Sequence, residues 1–209
     1  MHAEWYFDFV SPFSYLQLRD VRRWRERVEI MPVPVAFGAI LNHHGTLGPA
    51  EVPVKREFMY RFILWRAEQD GVTLRFPPTH PFNPLTALRL CIAAGTTWDA
   101  VEAIYAHIWR DGKPAVTAAD LADVGASLGI DNVDNAANAA NVKTQLRTNT
   151  DGAIAAGVFG VPTFRAGGEM FWGSDASAMI DQWLDNPARF ESAEYRRIAT
   201  LPTGVERRR

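Results

Sequence analysis

A chain of 209 residues fits one large domain or two small ones, and an apolar fraction of 47% is ample for a packed core. A formal charge of −2 leaves no excess of basic residues to meet a phosphate backbone, which excludes nucleic acid as the expected partner. No apolar run reaches the ~18 residues of a membrane span, and the start MHAEWYFDF lacks a charged-then-apolar leader, so the reading is a cytoplasmic chain without membrane contact.

The N-terminal AEWYFDFV reads as a strand, with Trp5, Phe7 and Phe9 on one face and Tyr6, Asp8 and Val10 on the other. Ser11-Pro12 follows at once. Serine as N-cap and proline at the first helical position predict a helix through FSYLQLRDVRRWRER, with Phe13, Leu16, Val21 and Trp24 on its apolar stripe. VEIMPVPVAF reads as a second strand that Pro32 and Pro34 push toward an edge. Together these make a parallel β-α-β unit.

The middle is helical. EVPVKREFMYRFILWRAEQDG gathers Phe58, Phe62 and Trp65 on a helix that Gly71 can end, and PLTALRLCIAAG is a second helix. Its Cys91, the single cysteine, cannot close an internal disulfide and reads as a small buried hydrophobe. TWDAVEAIYAHIWRDG is the most periodic segment, with Val101, Ile104, Tyr105, Ile108 and Trp109 on one side. Thr117 and Asp120 have capping-box spacing at the head of TAADLADVGASLG. VDNAANAANVKTQLRTNTDGAIAAG fits one long helix or two in succession. The adjacent His43 and His44 lack a carboxylate–histidine partner set for a metal, and Trp5, Trp24, Trp98 and Trp109 fall on periodic faces as core.

Strand signals return in GVPTFRAGGEMFWG, where Gly167-Gly168 is a two-residue hairpin signature. A last helix, DASAMIDQWLDN, stops near Pro187, and the terminal ERRR reads as a solvated tail. The layout predicts an α/β, thioredoxin-like core with an inserted all-helical domain. The expected divisions are residues 1–36 (β-α-β), 37–150 (helical insert) and 151–209 (β-β-α).

Three stretches in register, FDFVSPFSYL, AAGVFGVPTF and MFWGSD, carry a family resemblance. The sequence resembles 2-hydroxychromene-2-carboxylate isomerases and kappa-class glutathione transferases, within the DsbA-like thioredoxin superfamily. Ser11-Pro12-Phe13-Ser14 fills the slot that holds Cys-x-x-Cys in the disulfide oxidoreductases, and dithiol exchange needs an enzyme thiolate, so that chemistry is excluded. The resemblance implies that the thiol arrives as glutathione, a cofactor or co-substrate. A thiolate at a helix N-terminus gains from free N–H groups and the helix dipole, and a hydroxyl donated by Ser11 lowers its pKa further. Read locally, Ser11 is equally a plain helix cap.

By the same resemblance Val161 and Pro162, joined by a cis bond, pair with the cysteinyl part of glutathione as an added strand. Trp172, Gly173, Ser174 and Asp175 hold its γ-glutamyl end, with Asp175 facing the amino group. Capping of the following helix is the alternative role for Ser174 and Asp175. A second, small electrophilic organic substrate is expected in the cleft between core and insert, near Asn42, Lys55 and Asn83. The isomerases carry a lysine near the position of Asn42 and an asparagine near Thr46, and these departures leave the particular substrate open. The resemblance implies a homodimer. The activity it implies is a glutathione-dependent isomerase; a kappa-like transferase and a non-catalytic binding protein are the alternatives.

Overall fold

Apolar alternation ends earlier than the sequence pattern suggests. In the computed structural model, which describes residues 2–205, the first strand, β1, spans His2–Phe7 and stops short of Val10. The cause is Asp8. Its buried carboxylate accepts a hydrogen bond from the Val10 N–H at 3.0 Å and bends the chain out of the strand. The expected helix follows as α1, Pro12–Trp24, capped by Ser11 and buried along Leu16, Val21 and Trp24, with Phe13 half-buried. It crosses to β2, Glu29–Pro34, which pairs with β1 in parallel. Pro32 and Pro34 both lie in this edge strand, where a missing N–H leaves no internal ladder broken.

The helices then run in sequence as α2 (Phe37–His44), α3 (Pro53–Gln69), α4 (Leu85–Ala93), α5 (Trp98–Tyr105), α6 (Ala122–Ser127), α7 (Val133–Asn138) and α8 (Ala140–Ala155). Helix α5 passes into a π turn at Ala106–Arg110. The Thr117–Asp120 box closes in both directions, at 2.8 and 3.2 Å, but helical structure begins only at Ala122, after a turn. Ala139, with ψ at 137°, separates α7 from α8, so the long segment is two helices. Phe58, Phe62 and Trp65 do meet on α3, yet Phe58 and Trp65 are 70% and 52% exposed, so the cluster is a surface feature.

Strands β3 (Thr163–Ala166) and β4 (Glu169–Trp172) form the expected hairpin, and Gly167 and Gly168 both take positive φ as a type I′ turn demands. The sheet order is β2-β1-β3-β4, with β1–β3 and β3–β4 antiparallel. Helix α9, Ser177–Asp185, follows; a short helix α10, Ala193–Ile198, was not foreseen and lies exposed beyond Pro187. The terminal ERRR lies outside the described residues. One apolar cluster joins Trp5, Phe7 and Phe164 of the sheet to Ile104, Tyr105 and Trp109 of the helical segment, so sheet and helices share a core. Trp5, Trp24 and Trp109 are fully buried; Trp98 is half-buried under the Arg25 guanidinium, 4.4 Å away. Cys91 is fully buried, and burial pushes its thiol pKa up, away from reactivity.

Candidate active site

The turn between β1 and α1 is gripped from several sides. Three of its four carbonyls accept a hydrogen bond from a ring of the helical segment: Asp8 from the Tyr105 hydroxyl at 3.0 Å, Phe9 from the Trp109 indole N–H at 2.8 Å, and Val10 from His80 Nε2 at 2.9 Å. A carbonyl only accepts, so His80 carries a proton on Nε2; its Nδ1 and its own carbonyl both lie within reach of the Tyr60 hydroxyl, at 2.7 and 2.6 Å. Burial pushes the imidazole pKa down, which favours the neutral form. The Asp8 carboxylate takes the N–H of Phe37 at 2.9 Å as well as that of Val10, tying α2 to the same turn. Burial pushes its pKa up to about 7 against the backbone donors that pull it down.

Ser11 comes next. Its hydroxyl oxygen accepts from the Ser14 N–H at 3.3 Å, as an N-cap does. The hydroxyl's own hydrogen has no acceptor among the described residues and is free for a ligand. Ser11 lines the cavity described below, whereas Ser14, at the far end of the slot, is fully buried and does not.

The Val161–Pro162 peptide is cis. Val161 is buried and lines the cavity, yet its own N–H and C=O find no partner among the described residues. The Pro162 carbonyl is instead used, accepting from the Gly173 N–H at 2.9 Å. Gly173 sits at φ 90°, and a Cβ there would collide with the Asp175 carboxylate, so glycine alone fits. Gln17, buried on α1, donates to the Gly173 carbonyl at 3.0 Å and accepts from the Trp5 indole at 2.9 Å. It therefore binds the start of the last helical region to the first helix. Ser174 and Asp175 make no capping hydrogen bond, so the capping alternative fails and both side chains remain free.

These two regions face one cavity of about 460 Å3, within the range of small-molecule sites. Ser11, Val161, Trp172, Gly173, Ser174 and Asp175 all line it; Pro162 is not on its walls. The expected cleft between core and insert is this cavity, but Asn42, Lys55 and Asn83 are not on its walls. Asn42 is exposed on α2, beside the lining residue Leu41. Lys55 is exposed in the first turn of α3, and Asn83, just ahead of α4, accepts from the Leu85 N–H at 3.1 Å. Sequence reasoning missed Asp8, Gln17 and His80, which hold the two turns in place, and Arg66, which lines the cavity. A carboxylate inside FDFV and an amide inside an apolar helical stripe were the available signals for the first two. His43 and His44 stack edge to face, and His44 Nε2 lies 3.3 Å from the Val158 carbonyl.

The DSBA-like thioredoxin domain profile matches residues 3–185. The glutathione S-transferase kappa 2 of Caenorhabditis elegans is 26% identical over 77% of this chain and 78% of its own length. A 2-hydroxychromene-2-carboxylate isomerase of Pseudomonas sp. (strain C18) is 27% identical over 86% of this chain and 88% of its own. A solved 2-hydroxychromene-2-carboxylate isomerase superposes with a TM-score of 0.78 at 24% identity, covering 91% of this chain and 98% of that one, and shares its fold.

Proposed function

This chain belongs to the DsbA-like thioredoxin family, and on that premise we propose that it is a glutathione-dependent isomerase of the 2-hydroxychromene-2-carboxylate type. The observation that carries the reading is Ser11: a nearly buried hydroxyl, fixed by the Ser14 N–H, whose hydrogen is unspent at the wall of a cavity. Glutathione, when bound, supplies a thiolate that adds to an electron-poor carbon and leaves again, so the tripeptide is returned unchanged. Ser11 donates to the sulfur and, with the N-terminus of α1, favours its anionic form. The unpaired N–H and C=O of Val161 suit an extended peptide laid alongside as a strand. Asp175 and Ser174, both free, suit the ammonium and carboxylate of its γ-glutamyl end.

A kappa-like transferase is the second reading, favoured by the Caenorhabditis elegans relative. Titrating free thiol before and after turnover separates the two. An isomerase leaves the thiol constant while the substrate spectrum changes; a transferase consumes one thiol per turnover. A chain that binds no glutathione at millimolar supply overturns both. We also propose a homodimer and a cytoplasmic setting, where glutathione is abundant.

A further inference from the structure

Two carboxylates, Glu51 and Asp175, line the cavity and repel a negatively charged ligand group, and the buried Asp8 adds no positive charge. Among the described lining residues the one permanent cation is Arg66. Its Nε donates to Asp70 at 2.8 Å, which fixes the plane of the guanidinium. Its Nη1 and Nη2 donate to no described residue. Asp70 is itself shared with Arg19, which reaches its carbonyl at 2.9 Å and its carboxylate at 3.3 Å. Arg19 also meets Asp20 at 3.5 Å, so its charge is shared between two carboxylates, and Arg66 alone keeps unpaired donors toward the cavity.

The approach to that corner is apolar. Met59, Phe62 and Arg66 recur at helical spacing along one face of α3, and all three line the cavity. Phe62 meets Phe13 of α1, with ring centroids 6.4 Å apart. Phe13 is two residues from Ser11 in the chain, so the aromatic wall connects the hydroxyl to the guanidinium. One end offers a sulfur-facing donor, the middle offers flat apolar surface, and the other end offers a paired, planar cation. An arginine fork of this kind matches a carboxylate in bidentate geometry.

We propose that Arg66 is the specificity-determining residue of this site, holding through Nη1 and Nη2 the carboxylate of a flat, conjugated, electrophilic substrate whose body lies along Phe62 and Phe13. The assignment rests on the reading that a thiol compound occupies the Ser11 end. It gives to Arg66 the role that the sequence suggested for Lys55.

The test pairs two probes with one body: a benzylidene acetone bearing a ring carboxylate, and its methyl ester. Both accept glutathione at the enone β-carbon, with the thiol proton ending on the α-carbon, and the loss of enone absorbance follows the reaction. For Arg66→Gln, the carboxylate probe's KM rises tenfold or more, the ester's stays within twofold, and the glutathione Kd read from tryptophan fluorescence is unchanged. Arg66→Lys restores part of the carboxylate preference. An equal loss for acid and ester overturns the proposal, since Arg66 would then act only through the fold. A glutathione Kd that rises with the ester and acid unaffected relative to each other also overturns it, by assigning Arg66 to the tripeptide. If the parent binds no glutathione, the functional reading fails separately. The Arg66 assignment is then judged by probe binding alone, where fluorescence quenching must prefer acid to ester in the parent and lose that preference in Arg66→Gln.

Discussion

Two turns meet at the cavity, each leading into a helix, and they are built in opposite ways. The turn at Asp8–Ser11 is buried, three of its carbonyls are held by rings from the helical segment, and its cap is in place. The turn at Gly173–Asp175 is half exposed, carries no side-chain cap, and leaves a carboxylate free. A group that tunes a sulfur's ionisation must hold its position to within a fraction of an ångström, whereas a group that collects an ammonium works from a looser loop. The contrast teaches that rigidity here is spent selectively, on the chemical end of the site.

The largest expected effect tests the buried turn through Asp8. With its pKa raised from 3.8 to about 7, the folded chain binds the proton more tightly than the unfolded chain. This contribution is fully present below the unfolded pKa and is lost as pH rises from about 4 to 7, by up to about 4 kcal/mol. Urea unfolding of the parent and of Asp8→Asn across that window checks it: the parent loses stability relative to the variant as pH rises, and parallel curves would refute the assignment. Ser11→Ala is next. Losing one hydrogen bond to a charged sulfur corresponds to about a hundredfold fall in kcat/KM. The accompanying loss of the cap is worth about 1 kcal/mol in unfolding free energy. An activity loss no larger than that stability change implies would reduce Ser11 to a cap.

On the looser turn, Asp175→Ala is expected to weaken glutathione about tenfold with kcat nearly unchanged. A drop in kcat at constant Kd would erase the distinction between the two turns. The smallest effect is expected at Lys55→Ala and Asn42→Ala, which lie off the cavity. Each should shift KM by less than about twofold, the ordinary range for surface substitutions away from a site.

The strands, the hairpin, the cap at Ser11 and the cis bond at Val161–Pro162 were legible because each is written in a few consecutive residues. Ser-Pro, Val-Pro and Gly-Gly impose local backbone geometry wherever they occur. What stayed hidden depends on partners far along the chain. Gln17 is an amide inside an apolar helical stripe, and its purpose shows only when Gly173, 156 residues later, is seen against it. Tyr105 and Trp109 were correctly read as core, but apolar periodicity says nothing about which carbonyl a buried hydroxyl or indole will seek. Lys55 attracted notice as a cation able to meet a substrate's acid group; Arg66 did not, because nothing in the α3 sequence says which of its basic residues turns toward the cavity. The early end of β1 is the instructive middle case, since Asp8 was visible in FDFV but its two N–H partners were not.

The ring-held turn also bears on redesign. Transplanting residues 7 to 16 into a different thioredoxin scaffold would carry the serine and leave behind Tyr105, Trp109 and His80. Three acceptors would then face solvent or an apolar wall, and the grafted hydroxyl would wander. A working graft must bring those three donors along with the motif.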